Sequence, residues 1–188
     1  MASPRDRMIV SAALLIRERG ASATAIADVL AHSGAPRGSA YHHFPGGRTQ
    51  LLCEAVDYAA EFTAGRIAAA PDALAAIDVI ADGFTDALQS TDFRAGCPVV
   101  AVAVEADNAP VLERAAAAFA RWVRLIESRL VSDGVASARA EELAMLLLTS
   151  VEGALVVARA TRDLTPLHLV HRQLRALVAA ELGEGKTP

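Results

Sequence analysis

"APRGSAYHHFPGGRTQLL", Ala35 to Leu52, gathers an arginine, a serine, a tyrosine and two histidines, then breaks on Phe44-Pro45-Gly46-Gly47. Such a cluster suits a metal site, a catalytic pair or a surface that touches another polymer, and the flanking sequence decides between them. Upstream, Met8, Ile9, Ala12, Ala13, Leu15 and Ile16 recur at helical spacing until Gly20 stops the run. Thr24 is placed to cap a second short helix, with Ile26, Ala27 and Leu30 turned inward and Ser33-Gly34 ending it. Pro36 suits the first turn of a third helix that runs to about His43 or Phe44. A fourth begins near Arg48 and continues through Leu51, Leu52, Ala55, Val56 and Ala59.

Two short helices joined by a glycine turn and packed on a longer one form a helix-turn-helix unit, whose second helix enters the major groove of DNA. Ala40 and Phe44, four residues apart, anchor that helix to the core. Gly38, Ser39, Tyr41 and His42 then point largely the other way, with Arg37 leading. Arginine offers a bidentate fork to guanine or phosphate, and Tyr41 and His42 offer polar tips to phosphates or base edges. Gly38 lets the backbone approach closely. Arg48, beside the free N–H groups that start helix four, makes a second phosphate clamp. Thr24, at the start of the second helix, completes the expected DNA-binding set. The metal reading is weaker: adjacent His42 and His43 face different sides of a helix, and no carboxylate or cysteine completes a ligand set.

Charge agrees with a polyanion partner for this segment. The 188-residue chain carries −4 overall, yet residues 1–48 hold six arginines against Asp6, Glu18 and Asp28. That gives a head of +3 on a body of −7. The first ten residues do not resemble a signal peptide. The most apolar window, from Leu143, is short for a bilayer and contains Glu152. Cys53 and Cys97 lack metal-ligand spacing, and Cys97 reads as a buried thiol rather than a redox sensor. A soluble cytoplasmic protein is expected, bound to no membrane.

"TAIADVLAHSGAPRGSAYHHFPGGRTQLL" resembles the DNA-binding head of TetR-family transcriptional repressors, through Ile26-Ala27, Gly34, Gly38, Tyr41-His42-x-Phe44 and the polar start of helix four. The wording "PRGSAYHHFPGG", with "GCPVVAVAVE" at Gly96 to Glu105, is closer to the LmrA and YxaF-like branch. Arg48 stands where the family usually has lysine, and Ala40 where leucine is commoner. The resemblance implies a homodimer whose last two long helices pair into a four-helix bundle, with a ligand cavity among helices five to eight.

The body reads as further helices over 72–90, 109–131, 141–162 and 166–182. The valines of "CPVVAVAVE" favour a strand, but no second strand is at hand, so a short buried helix is expected. The fold class is therefore all-α: a head over 1–50, helix four as a link to about 68, and a ligand-binding and dimerisation body over 69–188. Phe84, Leu88, Phe119, Trp122, Met145 and Thr149 fall on separate helices that a bundle brings together. Their character suits a small hydrophobic or aromatic effector. Glu152 or Arg94 would supply an orienting charge. Glu152 has two readings, a pocket-lining acid or an ion pair with Arg159 or Arg172 at a subunit interface. No nucleophile–base pair, metal set or phosphate loop is present, so no cofactor and no catalysis are expected. The function expected is a repressor released from a palindromic double-stranded DNA operator by its ligand. The alternatives are a constitutive DNA-binding regulator and a small helical enzyme.

Overall fold

Ser3 opens the first helix: its hydroxyl accepts the Asp6 N–H at 3.1 Å and the Asp6 carboxylate accepts the Ser3 N–H at 3.3 Å. Those bonds hold the Asp6 carboxyl below the usual carboxylate range. The computed structural model describes residues 3–36 and 38–184, and every regular element among them is an α-helix. In chain order these are α1 (Pro4–Arg19), α2 (Ile26–Ser33), α3 (Ser39–His43), α4 (Gly47–Ala69) and α5 (Ala73–Ser90). They are followed by α6 (Pro98–Glu105), α7 (Ala109–Ser132), α8 (Ser137–Thr161) and α9 (Thr165–Glu184). "CPVVAVAVE" is thus the short helix α6, with Pro98 in its first turn and Val99 and Val102 fully buried.

The chain divides into two units, Met1–Phe62 with Cys97–Phe119, and Thr63–Gly96 with Ala120–Pro188. In the first, Met8 and Ile16 of α1, Val29 of α2, Phe44, and Leu51 and Val56 of α4 are fully buried. The N-terminal details differ from the sequence reading. Ala25, not Thr24, stands at the N-cap of α2, and Asp28 accepts the Ala25 N–H at 3.2 Å. Val29 is the buried residue of α2, while Ile26 and Leu30 are half-buried and Ala27 is exposed. Pro36 lies outside α3. Its carbonyl instead accepts the Ser39 N–H at 2.9 Å and the Ser39 hydroxyl at 2.6 Å.

In the second unit, Ile77 of α5, Leu130 of α7, Leu143, Leu147 and Val151 of α8, and Leu174 and Val178 of α9 form one apolar core. Asp72 caps α5 by accepting the Ala75 N–H at 2.7 Å. Asp78 joins α5 to α9: His171 Nε2 lies 2.8 Å from its carboxylate, and Arg175 bonds the other oxygen. Burial raises the Asp78 pKa, but these hydrogen bonds and the Arg175 charge outweigh it and hold the carboxyl below its ordinary range. Between α5 and α6, Asp92 and Phe93 both take left-handed backbone, φ 53° and 58°. Arg162 donates to the Asp92 carboxylate at 2.7 Å and lies over the Phe93 ring. At 25 residues, α8 is long and apolar enough to cross a membrane by length and composition, so the expectation of a window too short does not hold. What marks α8 as a core helix is its buried face, Leu143, Ala144, Leu147, Val151, Ala154 and Leu155.

Candidate nucleic-acid interface

Gly34 ends α2 in left-handed backbone, φ 63°, and so releases the chain towards α3. Only five residues long, α3 is held by Ala40 and Phe44, 1% exposed each, with the Phe44 N–H donating to the Ala40 carbonyl at 2.8 Å. The Arg5 guanidinium lies 5.5 Å from the Phe44 ring centroid and pairs with Glu54 at 2.6 Å, so the anchor is covered on its outer side. Alanine at position 40 is sealed against the core despite its small side chain.

With that face buried, the opposite one is presented to solvent. Tyr41 is 75% exposed, and Gly38 and His42 are exposed as well. A Cβ on Gly38 would meet nothing within 4 Å. Internal packing therefore does not require glycine at this position. Ser39 is half-buried and donates its hydroxyl to the Pro36 carbonyl, so its oxygen keeps only acceptor capacity. His43 is half-buried, its ring edge-to-face with that of His42 at 5.1 Å. Arg37 lies outside the described residues.

Two members of the expected DNA set face inward. Thr24 is 2% exposed and donates its hydroxyl to the Gly20 carbonyl at 2.8 Å, so its side chain offers nothing to a phosphate. Arg48 donates through Nε to the Thr24 carbonyl at 3.0 Å and through its terminal nitrogen to the Ala21 carbonyl. A guanidinium's fixed fork fits two carbonyls as well as a phosphate, and here it is committed to the α1–α2 turn. The Gly46 N–H before α4 is also taken, by the Gln50 side chain at 2.8 Å.

The second unit holds a partly open pocket lined by α4, α5, α7 and α8. Phe84, Trp122 and Glu152 of the expected ligand set line it. Four others do not. Leu88 is fully buried in packing, and Phe119 belongs to the other unit. Met145 and Thr149 are exposed on the far face of α8, a helix so apolar all round that its sequence does not say which side is inward. Arg94 is exposed and is not in the lining; Arg129, which the sequence reading passed over, is, together with Thr63. The rest of the wall is aliphatic, with Ile67, Ile77, Ile80, Ile126, Leu147 and Val151 prominent.

Residues 9–55 match the family model "Bacterial regulatory proteins, tetR family". Residues 73–173 match "Transcriptional regulator LmrA/YxaF-like, C-terminal domain". An uncharacterized HTH-type transcriptional regulator of Mycobacterium tuberculosis (strain H37Rv) is 61% identical, over 98% of both chains. The HTH-type transcriptional regulator LmrA of Bacillus subtilis is 29% identical, covering 87% of this chain and 90% of its own. Among solved structures, a TetR transcriptional regulator from Chloroflexus aurantiacus superposes with a TM-score of 0.71 at 29% identity over 94% of each chain. These relatives are regulators of transcription rather than enzymes. An exposed Tyr41-His42 face on an anchored α3 agrees with that class, and the chain belongs to the TetR family of DNA-binding transcriptional regulators, with an LmrA/YxaF-like C-terminal domain.

Proposed function

We propose that this regulator is a homodimeric repressor that leaves a palindromic operator when a small hydrophobic or aromatic ligand enters the second unit. Residues 1–50 are the DNA-binding head, α4 links to about residue 68, and residues 69–188 form the ligand-binding and dimerisation body. Gly38, Ser39, Tyr41 and His42, with Arg37 before them, make the DNA contacts. The observation that carries the ligand reading is the cavity, whose aliphatic wall is interrupted by Phe84, Trp122, Thr63, Arg129 and Glu152. An apolar wall with few polar groups selects an apolar body and orients it by one or two polar contacts.

The exposed Met145, Leu146, Val156 and Val157 of α8 and Leu169 of α9 support a two-fold interface through these two helices. Such a dimer would set two heads about 34–36 Å apart, or a multiple of it, on successive major grooves. Its place of action is the cytoplasm.

Ligand acts only through its difference in affinity between the DNA-competent and released states, so DNA must weaken ligand binding by the same factor. The test is a titration of candidate compounds against the protein–operator complex, with Trp122 fluorescence followed in parallel. A compound that perturbs Trp122 yet leaves operator affinity unchanged would point to constitutive DNA binding instead.

A further inference from the structure

"GCPVVAVAVE" lies within the LmrA/YxaF-like match, and nothing in groove contact or ligand binding uses the residue that ends it. Glu105 closes α6, where a carboxylate opposes the negative end of the helix dipole. Its position is explained by what it reaches: the carboxylate accepts the Ser22 N–H at 3.1 Å, in the turn between α1 and α2. Gly20 lies directly beneath it. A Cβ built there would overlap the carboxylate, and Gly20 also has φ 89°, so the position is glycine for two independent reasons.

Other polar groups of this turn bond to α1, α2 and α4. The Gly20 N–H goes to the Ile16 carbonyl at 2.9 Å, and the Gly20 carbonyl accepts the Thr24 hydroxyl at 2.8 Å. Arg48 of α4 takes the Ala21 and Thr24 carbonyls, and Asp28 takes the Ala25 N–H. Glu105 supplies the acceptor for Ser22 from a helix that packs against α1. The turn is thus gripped by α4 through its carbonyls and by α6 through its N–H.

We propose that Glu105 is a positioning residue for DNA binding: seated on Gly20 and bonded to Ser22, it clips the end of α6 to the α1–α2 turn and fixes the course of α2 and α3. This rests on the reading that the α3 face contacts DNA.

Full-length Glu105→Ala should bind the selected operator about three- to tenfold more weakly, the scale of one net hydrogen bond. Its mass and helical content should match wild type. Glu105→Gln keeps an acceptor oxygen and should stay within about twofold of wild type. Gly20→Ala, which displaces the carboxylate, should lose affinity at least as far as Glu105→Ala. The Ser22 amide resonance reads the clip without DNA: Glu105→Ala should shift it together with amides of α2 and α3, whereas Glu105→Gln should largely restore them. Equal operator affinity for wild type and Glu105→Ala overturns the proposal, as does a shift confined to Ser22. A wild-type protein that selects no operator removes the DNA reading instead, and the α2 and α3 amides then still decide whether the clip positions them.

Discussion

Nε of Arg48 donates to the Thr24 carbonyl across 3.0 Å, tying the first turn of α4 to the chain that enters α2. A side chain that the sequence suggested for a phosphate therefore holds the head together. Arg48→Ala removes the guanidinium from both part-buried carbonyls and leaves the Ala21 carbonyl only the Thr24 N–H, a loss of about 1–3 kcal/mol. The expected outcome is a lower thermal midpoint together with weaker operator binding, alike for all DNA sequences. Unchanged melting with weakened binding would place the guanidinium on DNA rather than on the turn.

Tyr41 behaves in the opposite way. It is 75% exposed, so Tyr41→Ala should leave the melting curve unchanged and reduce operator affinity about five- to tenfold at fixed salt, the scale of one lost hydrogen bond. Arg37→Ala should cost about 1–3 kcal/mol and relax specificity at one base pair. Both are measured by titration against the selected operator and its single-base variants. Wild-type binding by both variants would overturn the role of α3.

Dimerisation through α8 and α9 predicts that a charge on the exposed apolar face separates the subunits. Val157 is 48% exposed, and Val157→Glu should give a monomer mass by light scattering at micromolar concentration while wild type gives a dimer. Loss of operator affinity should accompany it, because one head covers only half of a palindrome. A wild-type monomer would exclude the interface.

Asp78 sets an acid limit on the second unit. Folding lowers its pKa, so the folded form binds the fewer protons and the contribution is complete above the unfolded carboxyl's value near 4. It is lost as pH falls through the lower folded value. Asp78→Asn should lower the thermal midpoint at pH 7 by a few degrees at most, since the carboxylate is 35% exposed and its pairs are screened. The difference between variant and wild type should shrink as pH drops below about 4. A midpoint difference that persists unchanged at low pH would assign the stability to packing instead.

The head was legible because its punctuation is chemical: Gly34 and Pro45-Gly46-Gly47 mark chain reversals, and the Ala40–Phe44 spacing marks one buried face. What sequence leaves open is the aim of versatile side chains. Arg48 suits a carbonyl pair as well as a phosphate, and Thr24 suits an inward bond to Gly20 as well as a cap. In α8 the difficulty is different. Met145 and Thr149 stand among apolar neighbours on every side, so periodicity cannot separate the cavity wall from the outer face, whereas Trp122 on the more amphipathic α7 fell inward as expected. Arg129 and Glu105 act through contacts with residues distant in sequence, Pro71 and Ala68 for one and Ser22 for the other, which no local pattern announces.

The left-handed pair Asp92 and Phe93 gives the protein an evolvable reserve. Left-handed backbone at a non-glycine residue costs on the order of 1 kcal/mol or more, and an aromatic side chain bears it worst. Most positions in a folded chain offer mutation only a descent. Here Phe93→Gly or Phe93→Asn trades an aromatic contact with Arg162 for relief of that cost, while the Arg162–Asp92 pair is kept. Selection for heat resistance should therefore find gains at position 93 before it finds them in the close-packed core.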